Sequence, residues 1–177
     1  MRIAARTACR GRAAPGARPA DVPRRRRQLI ARWLIAGGAL ALFASLFVPW
    51  SHQFSPAFLA RWGASNVLRG VPRDPTAWQV YSIVDVALAL LSLGLMAVAR
   101  AGNRAARMAA GIAAALALAF TLHALGHPPT NGANVVDPAR SVPGYFPNAP
   151  GAGVGEIGAI AALGAAIAGL GLAATAD

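Results

Sequence analysis

The chain is short of what makes a protein soluble. Of its 177 residues only 13% are charged, about half the share of an ordinary soluble domain, while 56% are hydrophobic. So little polar surface cannot cover a water-soluble globule of this size. Lysine is absent: all 17 basic residues are arginine, set against six acids, and the formal net charge is +11. The lone cysteine, Cys9, excludes an internal disulfide, a Cys-x-x-Cys redox pair and a multi-cysteine metal site. His-Glu-x-x-His, Gly-x-Ser-x-Gly and the P-loop are missing too, as are the facing mid-membrane histidines that a b-type haem requires. With no nucleophile–base pair to support catalysis, an enzyme is not expected.

What is present is a set of long apolar runs. Residues 1–28 are rich in Arg, Ala and Pro, end in Arg24-Arg25-Arg26-Arg27, and read as a disordered cytoplasmic tail. Residues 29–176 read as a membrane domain. Its four runs are 29–50, holding Arg32; 78–99, broken by Asp85; 108–126, without charge; and 154–176, holding Glu156. At about 1.5 Å per residue each crosses a hydrocarbon core of about 30 Å. Backbone groups in lipid must be satisfied internally, so each run is expected to be a helix. The fold class expected is all-α: a polytopic membrane protein with four transmembrane helices in an antiparallel bundle.

Arginine placement sets the expected orientation. Ten arginines lie in the first 32 residues and three more in the tight loop Arg100–Arg107, against Arg61, Arg69, Arg73 and Arg140 in the loops 51–77 and 127–153. The positive-inside rule then puts both termini in the cytoplasm of a multi-pass plasma (inner) membrane protein. Trp33, Trp50 and Trp78 fall where interfacial aromatics belong. Arg26-Arg27-Gln28-Leu29-Ile30 resembles part of a twin-arginine export signal, but three further spans follow, and the segment reads as an uncleaved anchor. In the first outer loop, Ser55-Pro56 starts a short interfacial helix with Phe58, Leu59 and Trp62 on one face, ended by Gly63. The second outer loop, with Tyr145 and Phe146 as anchors, is expected to be irregular.

Candidate site residues follow from what is expensive in a membrane. Asp85 is an intramembrane carboxylate, about 10 Å past Trp78 along a continuous helix. On that helix Trp78, Ser82, Asp85, Ala89 and Ser92 form one stripe, with Tyr81 beside it. Glu156 sits at the outer end of the fourth span, and His52, His123 and His127 fall at the same side. One reading is an outward-facing site for a proton, a divalent metal or a small cation, built on Asp85, Ser82, Tyr81 and Glu156, with the histidines as metal or proton ligands. The other is structural: Asp85 as a hydrogen-bonding contact between helices, Glu156 favoured by the helix dipole, the histidines as loop residues. Pro128-Pro129 ends the third span near His127 and loosens the pairing of His123 with it.

The remaining features concern association. Gly151, Gly155, Gly158, Gly164, Ala165, Ala168 and Gly169 give the fourth span small-residue faces, matched by Gly37, Ala41 and Ser45 on the first span and Gly111 and Ala115 on the third. These serve packing inside the bundle or a homo-oligomer. Arg24, Arg25, Arg26 and Arg27 are expected to meet anionic inner-leaflet lipids. Nucleic acid is not an expected partner, since no aromatics interleave the arginines.

Phe47-Val48-Pro49-Trp50, the stretch Trp78-Gln79-Val80-Tyr81-Ser82-Ile83-Val84-Asp85, Pro128-Pro129 and the glycine-led fourth span together resemble a group of small four-helix integral membrane proteins of actinobacteria. The likeness covers residues 33–174 and implies the four-helix architecture; the group has no assigned activity to carry over. Small multidrug exporters share four helices and a membrane carboxylate, but theirs lies in the first helix, which here has no acid. The function expected is therefore that of a non-enzymatic accessory or scaffold component, acting through a membrane-protein partner or self-association and without a cofactor. The alternative is a small transporter or a proton- or metal-responsive protein with its site around Asp85.

Overall fold

The computed structural model describes residues 21–54, 56–62, 73–81, 83–127 and 148–175. In chain order the elements are α1 (Asp21–Ser45), β1 (Ser51–Phe54), α2 (Pro56–Trp62), α3 (Ala77–Val80), α4 (Val84–Ala101), α5 (Arg104–Gly126), β2 (Asn148–Ala152) and α6 (Val154–Ala174). Four of these helices are long and apolar enough to cross a membrane: α1 from Arg24 onward, α4, α5 and α6. Their outward faces carry large apolar side chains such as Leu40, Leu90, Leu93, Ile112 and Leu116, all exposed. A soluble monomer does not display so much contiguous apolar surface, whereas lipid solvates it.

The four long helices close a ring. Extensive contacts join α1 to α4 and to α6, and α5 to α4 and to α6. The tightest seam is α1 against α6. A Cβ on Gly169 would lie 2.9 Å from the Ala31 carbonyl oxygen, and one on Gly38 would lie 2.6 Å from that of Ala162. One on Gly155 would meet the Ser45 carbonyl oxygen at 2.8 Å. Early α1 therefore meets late α6, and the two helices run in opposite directions with backbones almost touching. The core splits into two layers, Leu42, Leu46, Leu88, Ala159 and Leu163 in one and Ile35, Ala39, Leu95, Ala166 and Leu170 in the other.

Element ends differ from the sequence expectation, each for a local reason. The first helix starts at Asp21 rather than 29, so Arg24–Arg27 form helical turns and not disordered tail; arginine is a good helix former. It stops at Ser45 rather than Trp50, because Pro49 offers no N–H and disfavours helix at Val48. The second span starts at Val84, after a separate turn α3 and an extended Tyr81 (φ −123°, ψ 110°). The Trp78-led stripe is thereby broken, and the buried row of α4 is Asp85, Leu88, Ser92, Leu95 and Ala99. Helix α5 starts at Arg104, where the Asn103 side chain accepts the Ala106 N–H at 2.8 Å.

The structure is mostly helical, as the all-α expectation has it, with one short strand pair added. β1 and β2 pair antiparallel, Ser51 opposite Ala152 and His52 opposite Gly151, with an irregularity before Phe54 meets Asn148. Just before β1, the Trp50 N–H donates to the Pro75 carbonyl at 2.9 Å, while its own carbonyl accepts from Gly153 N–H at 2.8 Å. The chain from Pro49 to Phe54 thus lies between the 73–76 segment and β2, tying both of these connections to one end of the bundle. Helix α2 forms as expected. Ser55, Gly63, Ser82, Pro128, Pro129, Tyr145, Phe146 and the tail 1–20 lie outside the described residues.

Candidate functional site

The two membrane acids occupy equivalent places. Asp85 is the second residue of α4 and Glu156 the third of α6, each in a first helical turn, where the helix dipole favours negative charge. Neither helix has a side-chain N-cap. Both acids are 0% exposed. Among the described residues, no hydrogen-bond partner reaches any of their four carboxyl oxygens. Buried polar groups are nearly always paired, so two carboxyl groups at one end of one bundle with no donor among the described residues call for an explanation.

Aromatic side chains cover this end. Trp50, 1% exposed, points its indole N–H at the Ser45 carbonyl oxygen, 2.7 Å away. Its ring lies against Gly155, the residue before Glu156, where a Cβ would come within 2.5 Å of Trp50 Cδ1. Only a glycine leaves that space. Tyr81 meets the Trp50 ring edge-on at 6.0 Å and the Phe120 ring at 5.5 Å. Tyr81 lies outside the four spans. Burial first, then the negative charge of Glu156 and of Asp85, pushes its hydroxyl up to about 12. That response places both acids within electrostatic reach of one phenol, which stays protonated at neutral pH.

Among the described residues, three buried hydroxyls are engaged elsewhere. Ser45 donates to the Leu42 carbonyl at 2.7 Å, Ser92 to Ala89 at 2.7 Å and Thr121 to Leu118 at 3.0 Å. These back-bonds satisfy the hydroxyls within their own helices and leave the carboxyl groups without those donors.

The histidines go elsewhere. His52, on β1, sits 2.6 Å from Asp74 through Nδ1, both half-exposed. His123 and His127 stack at 4.6 Å on the exposed end of α5. Among the described residues, no three His, Cys, Asp or Glu side chains gather as a metal site would need. Of the candidate set, then, Asp85, Glu156 and Tyr81 come together, and the histidines stay at the surface. Arg24–Arg27 line the exposed start of α1.

Sequence reasoning missed Trp50 as a buried cover, having taken it for an interfacial anchor; Trp33, 76% exposed, fits that role. It also missed Asp74 as the partner of His52, because 22 residues separate them with no motif between. No family model, no curated protein and no solved structure matches this chain. The function has to be argued from the chemistry of the site.

Proposed function

We propose that this is a non-enzymatic inner-membrane protein, an antiparallel four-helix bundle with both termini cytoplasmic, which takes up and releases a proton at an outward-facing Asp85–Glu156 site. The observation that carries this reading is the complete burial of two carboxyl groups with no donor among the described residues. Ionised, each carries a desolvation cost of several kcal/mol, which the helix dipole offsets only in part and no hydrogen bond from the described residues offsets. A bound proton removes most of that cost. Calcium takes about six to eight oxygen ligands and zinc about four ligands, so two carboxyl groups by themselves complete neither shell. Once the proton leaves, the charge has to meet water, so deprotonation favours a conformation in which the Trp50 and Tyr81 cover has moved aside. Membership of the actinobacterial group is proposed on Phe47–Trp50, Trp78–Asp85, Pro128-Pro129 and the glycine-led fourth span.

Infrared difference spectroscopy of the reconstituted full chain between acidic and neutral pH tests the proposal. The expected result is a protonated-carboxyl band that changes with pH, weakens in Asp85→Asn and in Glu156→Gln, and vanishes in the double variant. A band indifferent to pH overturns the proposal. So does one that responds to added calcium or zinc and not to protons.

A second reading, an accessory component acting through self-association or a partner, is favoured by the outer face of α6. Ala161, Gly164, Ala168 and Gly171 are all exposed there, with open space beside both glycines. Such spacing suits close helix–helix approach in lipid. A strictly monomeric particle in mild detergent, by light scattering, counts against self-association.

A further inference from the structure

The end of the bundle opposite the carboxyl groups carries a different chemistry. Three clefts adjoin there. One, of about 360 Å³, is lined by Arg104, Arg107, Met108, Leu170 and Ala174. A narrow one of about 60 Å³ reaches inward between Arg107 and Arg32 with Gln28, floored by Ile35 and Ala173. The third, of about 390 Å³, is formed by Arg25, Gln28, Leu29 and Arg32. Arg107 is common to the first two, Gln28 and Arg32 to the last two. The three are therefore one groove, running from the end of α6 past the start of α5 to the first turns of α1.

The lining decides what fits. Four arginines contribute to the groove, and among the described residues no acidic side chain does. Guanidinium groups bind phosphate oxygens in paired, charge-assisted hydrogen bonds. The first turn of α5, at Arg104, adds the positive end of a helix. Next to the groove the surface turns apolar: Met108, Ile112 and Leu116 form an exposed ridge down α5 at four-residue spacing. Leu29, Ile30 and Trp33 add exposed apolar side chains on α1. A free anion uses only the arginines, whereas a ligand with an anionic head and acyl tails uses both surfaces.

The geometry points to a binding site for an anionic phospholipid, its phosphate held among Arg32, Arg104 and Arg107 and its chains laid along the Met108–Ile112–Leu116 ridge. This differs from the diffuse attraction of a basic segment to a charged leaflet, because the groove is bounded by all four long helices, α4 through Val98 and Ala99, and its arginines are distinguishable from their neighbours. Arg26 and Arg27 carry the same charge on the same helix and line none of the three clefts.

Native mass spectrometry of the full chain in detergent, titrated with phosphatidylglycerol or phosphatidylcholine, separates the possibilities. The expected result is retention of phosphatidylglycerol over phosphatidylcholine. The double variant Arg32→Gln/Arg107→Gln should lower its apparent affinity by about tenfold or more. Arg26→Gln/Arg27→Gln, which removes equal charge, should leave it within about twofold, on the same energy scale. Inorganic phosphate at equal concentration should not displace the lipid. Equal losses in the two double variants overturn the site in favour of diffuse attraction. Displacement by inorganic phosphate overturns it in favour of a plain anion site. Should the first double variant fail to fold, the single Arg104→Gln at the groove's rim carries the comparison, and binding unchanged in that variant refutes the proposal.

Discussion

Trp50 spans the boundary between backbone and cover: its indole N–H is committed to the Ser45 carbonyl oxygen, and its ring faces Tyr81 and Gly155. Trp50→Phe keeps an aromatic face and removes the donor, leaving the Ser45 carbonyl with only the longer 3.4 Å bond from the Val48 N–H. The expected cost is about 1–2 kcal/mol, read as a lower unfolding temperature in detergent. Tyr81 gives a pH-dependent counterpart. Its hydroxyl, ordinarily titrating near 10.0, holds its proton to about 12 in the folded protein. Between those values the folded state binds more protons than the unfolded, so its stability falls as pH rises through that window and is unaffected below it. Tyr81→Phe should flatten this alkaline loss. Identical alkaline slopes for wild type and variant, followed by thermal unfolding against pH, would show that the phenol feels neither burial nor the two acids.

At the scale of elements, the α1–α6 seam depends on glycines that the outward face of α6 does not need. A Cβ at Gly155 or Gly38 would collide with backbone or with Trp50, whereas one at Gly164 meets nothing within 4 Å. Gly155→Ala and Gly38→Ala are each expected to destabilise by about 1–3 kcal/mol. Gly164→Ala should be neutral or slightly stabilising through helix propensity. Thermal unfolding of the three variants side by side checks the ranking, and equal effects would refute the close seam. Sequence composition could distinguish none of these glycines, since small-residue spacing occurs on both faces of α6. The spans themselves were legible because lipid demands long apolar helices whatever they pack against. Their ends were not, because tertiary partners set them. Nothing in Val80-Tyr81-Ser82-Ile83 announces the break before α4, and β2 is drawn from Asn-Ala-Pro-Gly-Ala, a stretch of poor strand formers held by β1. Asp85 and Glu156 stood out as charge in apolar runs. Their cover did not, because a tryptophan at a span's end ordinarily marks the interface.

The whole molecule has two unlike ends, and the proposed roles depend on which side each faces. The β1–β2 pair, the His52–Asp74 pair and the acids at the starts of α4 and α6 lie at one end, and the arginine groove lies at the other. Thirteen arginines belong to the groove side of the chain by sequence and four to the connections at the carboxyl end. An excess of that size favours a cytoplasmic groove, and the proposed proton site would then face external pH. Thiol labelling tests this directly, because Cys9 is the sole cysteine. In intact cells a membrane-impermeant maleimide should leave Cys9 unlabelled until the membrane is opened. In a Cys9→Ser background, His52→Cys should label at once, since that position is half-exposed. The substitution gives up only an exposed contact with Asp74, worth at most about 1 kcal/mol, so the fold should tolerate it. The reverse labelling pattern would invert the protein: the carboxyl site would then sense cytoplasmic pH, and the groove would face the external leaflet.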